Sequence, residues 1–264
     1  MSATYLDKII SLRQARLRRE KELLPQAELE ERLDNSDRRA NRFSTALASL
    51  PGPRIIAEFK RSSPSKGPIN VSLSPVDAAA AYRSGGAAAM SILTEHDHFC
   101  GSLDDLVSVR QHVDIPLLRK DFIVDEYQLF ESAAAGADAV LLIVAALETR
   151  QLGKLLATAS RLCIDTVVEV HDRSELAIAT ELGAKLIGVN NRDLRTFSIS
   201  MDVSRELIAD RPDGVIMISE SGIDSPEQIA ELSASGYSAF LIGESLMQSL
   251  DPEAAVRHLI GGEE

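Results

Sequence analysis

The chain is short of cysteine, of positive charge and of long apolar runs, and each shortage removes a class of protein. Only Cys100 and Cys163 occur in 264 residues, far apart and outside any CxxC spacing. Neither a disulfide framework nor a zinc site is indicated, and both read as buried or loop cysteines. Lysine and arginine total 28 against 40 acids, a formal net charge of −12. Such a field opposes binding to DNA, RNA and anionic membrane surfaces, so an anionic substrate needs a local positive pocket.

The longest apolar run, AVLLIVAAL at 139–147, is too short to span a bilayer. The N-terminal stretch MSATYLDKIISLRQARLRRE is an amphipathic charged helix without the apolar core of a signal peptide. The expectation is a cytoplasmic protein with no nucleic-acid or membrane partner. No P-loop, no nucleophile elbow with a Ser-His-Asp pattern and no G-x-G-x-x-G after the first strand appear. The stretch TEHDHF at 94–99 puts His96, Asp97 and His98 in one loop with no second cluster to complete a coordination sphere, so no metal is expected.

What is present is a rhythm. Short β-branched or leucine-rich runs fall at 54–59, 87–93, 115–119, 138–144, 164–170, 185–190, 214–219 and 238–242. Segments of helical period lie between them, such as PVDAAAAYRSGG, LETRQLGKLLATASRL and SPEQIAELSASGY, and DPEAAVRHLIGG follows the last. Several open on Ser, Thr or Asp, which cap exposed N–H groups, and many close on glycine (SGG, AGA, LGA, SGY). Eight alternating units predict an α/β fold, a (β/α)8 TIM barrel, with a doubly wound open sheet as the competitor. Residues 1 to about 50 read as two helices joined by the polar run LDNSDRRANR, an N-terminal helical extension packed on one domain covering 1–264.

A barrel concentrates function where its strands end. Strand 1 ends in Glu58 and Lys60, strand 3 in Lys120, strand 5 in Glu169, strand 6 in Asn190 and strand 7 in Glu220. Residues i and i+2 share a face, so Glu58 and Lys60 point with Ile56, and Lys120 with Leu118. Any one of these is equally well a rim salt bridge of little worth. As a set directed into a barrel they lose solvation unless they pair or meet a substrate. The small residues Ser221, Gly222 and Gly243 after the last two strands allow backbone N–H groups to approach an anion at helix N-termini, and Ser63 and Lys66 after strand 1 add donors. His112 and His258 fall in helices, and His171 follows strand 5, where a rim role is open. What remains is proton transfer by lysines and glutamates on a phosphorylated small molecule, without a cofactor.

The segments IIAEFKRSSPSKGPI, SILTEHDHFCGSLDDL, LLRKDFIVDEYQL, VVEVHD, IGVNNRDLRTF, ISESGI and LIGESLM, in that order along nearly the whole chain, resemble the indole-3-glycerol phosphate synthase family of tryptophan biosynthesis. The resemblance implies ring closure of 1-(2-carboxyphenylamino)-1-deoxyribulose 5-phosphate with loss of carbon dioxide and water. It implies that Lys120 is the general acid at the substrate carbonyl and that Lys60 pairs with the benzoate carboxylate, with protonation of the leaving hydroxyl also open to it. Glu169 is then the base of the dehydration, and Glu58 orients and balances the lysines. Asn190 and Glu220 hold substrate hydroxyl and amine groups. Ser63, Gly222 and Gly243 cradle phosphate with Ser221 beside them, Glu244 adjoins through its backbone N–H, and Arg192 lies near the mouth. Phe99, Leu93, Leu141 and Leu194 line the anthranilate pocket.

Two other readings stay open. Phosphoribosylanthranilate isomerase shares the phosphate loops but needs Asp and Cys at strand ends, and a non-catalytic phosphate-ligand binder tolerates loss of the lysines. A monomer or weak homodimer is expected.

Overall fold

The computed structural model describes residues 4–34, 40–48 and 52–261. Eight parallel strands close into a barrel in chain order: β1 (Arg54–Phe59), β2 (Ala89–Leu93), β3 (Leu117–Lys120), β4 (Ala139–Ile143), β5 (Asp165–Val170), β6 (Leu186–Asn190), β7 (Ile216–Glu220) and β8 (Ala239–Ile242). The α/β expectation of a (β/α)8 barrel holds. Strand 3 starts later than its apolar run suggests, because Pro116 cannot donate to the ladder, and Lys120 becomes the last residue inside the strand.

Ahead of β1 the sequence predicts two helices, whereas the described residues form three: α1 (Tyr5–Leu23), α2 (Gln26–Asp34) and α3 (Arg42–Ala48). Thr4 and Asp7 form a reciprocal capping box at the start of α1. Pro25 forces Leu24 out of helical conformation, with φ −136° and ψ 95°, and so splits the predicted first helix. Part of the expected polar connection lies outside the described residues. The barrel helices are α4 (Pro75–Ser84), α5 (Leu103–His112), α6 (Glu126–Ala134), α7 (Thr149–Arg161), α8 (Arg173–Glu181), α9 (Asp202–Leu207), α10 (Pro226–Ser235), α11 (Glu244–Gln248) and α12 (Pro252–Leu259). The glycines expected to close helices, Gly86, Gly136, Gly183 and Gly236, all take positive φ.

Strand alternation sorts two cores. Outward residues such as Ile55, Ala57 and Phe59 pack under the helices. Inward residues Ile56, Leu118, Val167 and Ile218, with Ala139, Leu141, Leu186 and Leu241, fill the barrel. Phe43 and Leu47 of α3 join that interior cluster at the N-terminal mouth. Asp165, the first residue of β5, anchors α3 by accepting from the Ser44 N–H at 2.8 Å and hydroxyl at 3.0 Å.

Helix α1 lies at the opposite end. Its Arg16 reaches Asp97 at 2.6 Å and its Lys21 reaches Asp125 at 2.8 Å. Buried Arg13 approaches Asp121 at 3.7 Å, beside Lys120. Among the described residues no helix is long and apolar enough to cross a membrane. Cys100 and Cys163 are free and exposed in loops, each at φ +55°, so neither is the buried cysteine that was one alternative.

Candidate active site

The inward-facing positions of the odd strands, two residues beyond the apolar layer of Ile56, Leu118, Val167 and Ile218, are Glu58, Lys120, Glu169 and Glu220. In a barrel of eight strands, alternate strands contribute one layer of four side chains. Here the topmost layer is three carboxylates and an ammonium. The carboxylates are almost fully shielded, Glu169 at 2% and Glu220 at 1% exposure. The even strands make room for them. A Cβ on Gly188 of β6 would collide with Glu220 Oε1, and one on Gly243, just past β8, would stand 2.6 Å from Glu58 Oε1.

The charges pair across the ring. Lys60, just past β1, donates to Glu58 at 2.6 Å. Lys120 donates to Glu169 Oε2 at 3.2 Å and to Glu220 Oε2 in a close ion pair. Asn190 accepts the Arg192 N–H at 3.0 Å through its amide oxygen, and its side chain also helps hold the Glu169 charge. Burial alone would lower the Lys120 pKa, but Glu220, Glu169 and Glu58 outweigh it and hold the ammonium charged well above its ordinary range. Burial would raise Glu169, yet Lys120, His171 and Asn190 overcome it and keep that carboxyl low, at about 2. Glu220 goes the other way: burial, reinforced by Glu169 and Glu58, outweighs Lys120 and pushes it up to about 7. Its Oε1 has no hydrogen-bond partner. Two glutamates on one lysine thus differ in proton affinity, the arrangement that separates a standing base from a group able to hold a proton near neutrality.

This ring forms the floor of a cavity of about 580 Å³, and all the catalytic and substrate-binding candidates from the sequence line it, whereas none of the histidines does. Leu93, Phe99, Leu141 and Leu194 supply apolar wall together with Phe122, Ile143 and Leu241. Phe99 is placed by a turn in which the buried Glu95 carboxylate accepts N–H groups of Asp97, His98 and Phe99 at 2.9, 2.8 and 3.2 Å. The stretch TEHDHF therefore builds wall, and among the described residues no group of three potential metal ligands forms.

Arg192 crosses the rim, donating to the Phe197 carbonyl at 3.1 Å. At the far side stand Ser63, Ser221 at φ +68° and Gly222 at φ +82°. A Cβ on Gly222 would meet Ile199 Cγ2 at 2.5 Å, so the glycine is needed for close approach as well as for its backbone conformation. Gly243 is the N-cap of α11 with no side-chain cap, as expected of an anion-facing helix start, and Glu244 follows, ion-paired to Lys66. The expectation of a second helix N-terminus after β7 fails. Ser225 already caps α10 by accepting from Gln228, and the cavity is lined there by Ser221, Gly222, Ile223 and Asp224, all ahead of that helix.

Sequence reasoning missed two contributions. Tyr5, Leu6 and Ile9 of α1 close one wall. Tyr5 stacks edge-on against His98 and Phe197, with ring centroids at 5.4 and 4.9 Å, and the only local signal was apolar residues on an otherwise charged helix. His171, left as an open rim residue, contacts Glu169 at 3.3 Å.

The chain matches the family model described as indole-3-glycerol phosphate synthase over residues 6–259. It is similar to indole-3-glycerol phosphate synthase of Sulfurimonas denitrificans, 48% identical over 82% of this chain and 83% of that one. It is also similar to that of Syntrophobacter fumaroxidans, 45% identical over 97% of each. Among solved structures, 3-hexulose-6-phosphate synthase from Salmonella typhimurium superposes with a TM-score of 0.59 over 78% of this chain and 96% of that chain. At 13% identity it speaks for the barrel alone.

Proposed function

The chain belongs to the indole-3-glycerol phosphate synthase family, and from that premise we propose how its residues divide the reaction. The substrate is 1-(2-carboxyphenylamino)-1-deoxyribulose 5-phosphate. The aromatic carbon that bears the carboxylate attacks the ribulose carbonyl as Lys120 protonates the developing alkoxide. The new C–C bond leaves the ring non-aromatic until carbon dioxide departs. Loss of the hydroxyl as water, with Lys60 supplying a proton and Glu169 removing one from the substrate, completes the indole. Before that, Lys60 neutralises the benzoate carboxylate, with Glu58 fixing its position. A charged donor already in place where negative charge develops needs no reorganisation in the transition state, which is the main source of its effect.

The single observation that carries this reading is the top layer of the barrel, where one ammonium stands between two carboxylates of opposite pKa displacement. Asn190 and Glu220 take the substrate hydroxyl and amine, and Phe99, Leu93, Leu141 and Leu194 enclose the anthranilate ring. Ser63, Ser221, Gly222 and Gly243 hold the phosphate, with the Glu244 backbone and Arg192 beside it. Among the described lining residues, six carboxylates face four cations. A multiply anionic substrate therefore favours a protonated Glu220 on binding, which its raised pKa permits.

The same reading takes the chain as one domain, cytoplasmic, monomeric or weakly dimeric. Incubating the purified protein with the substrate and following the appearance of indole fluorescence tests it. Formation of indole-3-glycerol phosphate is expected, and substrate recovered unchanged would refute it. A phosphate-ligand binder would hold the substrate without turning it over.

A further inference from the structure

His171 is the first residue after β5, and each of its ring nitrogens faces a different carboxylate. Nε2 stands 3.3 Å from Glu169 Oε1, and Nδ1 stands 3.0 Å from Glu175 Oε2 on α8. Glu175 also accepts the His171 backbone N–H at 2.8 Å, so one carboxylate fixes both the chain and the ring. Nδ1 hydrogen-bonds to Glu175, whereas Nε2 meets Glu169 at ion-pair distance without hydrogen-bond alignment, so the contact on that side is one of charge and asks for the doubly protonated ring. The ring is mostly enclosed, with 16% of its side chain exposed, and Glu175 is comparably covered at 17%.

The other charged groups around it are few. Asp172, next in the chain, spends its carboxylate capping α8 through the Glu175 N–H at 2.9 Å. Arg173 is taken by Asp210 at 2.9 Å. Lys120 lies across Glu169, on the other carboxylate oxygen, Oε2. Glu169 is thus held by a cation on each oxygen, and only one of the two has a proton-transfer role in the proposed reaction.

Resting on the reading of Glu169 as the base, we propose that His171 is a positioning residue for it: an imidazolium clamped between Glu169 and Glu175 that keeps Glu169 ionised and aimed after Lys120 has given up its proton. Lys120 is shared with Glu220 and becomes neutral when it acts as an acid, which removes half of the charge that holds Glu169. His171 does not change charge in that step. The base of the later dehydration thereby stays ready whatever the state of the acid. Burial opposes the charged ring, but Glu169 and Glu175 overcome it and raise the imidazole to about 10, so the clamp persists across the neutral range.

The test is the pH profile of kcat, read by indole fluorescence on the full chain, for His171→Asn, Glu175→Gln and Glu169→Gln, with thermal melts confirming that each is folded. His171→Asn keeps polarity but loses the charge. Its kcat is expected to fall about tenfold and its acid limb to move up by about one pH unit, with KM little changed, as loss of a neighbouring charge dictates. Glu175→Gln keeps an acceptor for the His171 ring and backbone N–H but removes the outer charge, so the acid limb stays and the alkaline limb moves to lower pH. Glu169→Gln is expected to be inactive. An inactive Glu169→Gln beside a His171→Asn enzyme that melts lower but keeps the wild-type limbs would overturn the clamp and leave the base assignment standing. An active Glu169→Gln would remove the base assignment itself and the clamp with it.

Discussion

At the N-terminal mouth of the barrel Phe43 and Leu47 of α3 lie at 0% and 1% exposure against the apolar interior. At the C-terminal mouth the odd strands end in Glu58, Glu169 and Glu220, nearly as shielded, and in the half-buried Lys120. One end is stopped by surface that gains free energy when it leaves water, the other by charges that lose it. Pairing offsets the cost of burying those charges, and glycines on the neighbouring strands keep the space they occupy. The contrast assigns stability to the bottom of the barrel and chemistry to the top, and each assignment can be broken separately.

The largest expected effect is at the top. Lys120→Ala should lower kcat by roughly 10²- to 10⁴-fold, the range for loss of a positioned general acid, while circular dichroism still reports a folded barrel. A kcat near wild type would end the assignment of chemistry to this layer. At the bottom, Phe43→Ala removes a fully buried ring and should cost roughly 3–5 kcal/mol of stability in denaturant titration, with kcat at 25 °C unchanged. A fall in kcat without a loss of stability would show that the two mouths are not independent.

The smallest and most discriminating change is Gly188→Ala, which sets a methyl group against Glu220 Oε1. Overpacking of this kind costs roughly 1–3 kcal/mol, and displacement of Glu220 should alter the pH profile of kcat. A normal profile would mean that the position of Glu220 does not matter to the reaction.

Much of this was legible locally. Alternation in IIAEFK puts Ile56, Glu58 and Lys60 on one face, and the same reasoning aligns Leu118 with Lys120, so the convergence of the polar strand ends follows once a barrel is assumed. The second helix N-terminus misled, because a serine-rich turn reads the same whether Ser225 caps its own helix or leaves the N–H groups open. His171 was invisible as a partner of Glu169, since i and i+2 spacing past a strand end does not reveal where a ring turns. Tyr5 was hidden for another reason: it lies far ahead of β1 in the chain and meets the mouth only because α1 folds back over it.

What the sequence by itself determined is the order of elements and the face on which each polar strand end stands, because period, capping and alternation are set within a few neighbouring residues. Which cation meets which carboxylate was decided only by the tertiary structure. The stagger of eight strands brings Lys120 between Glu169 and Glu220, and the turn into α8 sets His171 against Glu169. The opposite displacements of two chemically identical glutamates follow from that placement, since charge and burial act through distance in space and not along the chain.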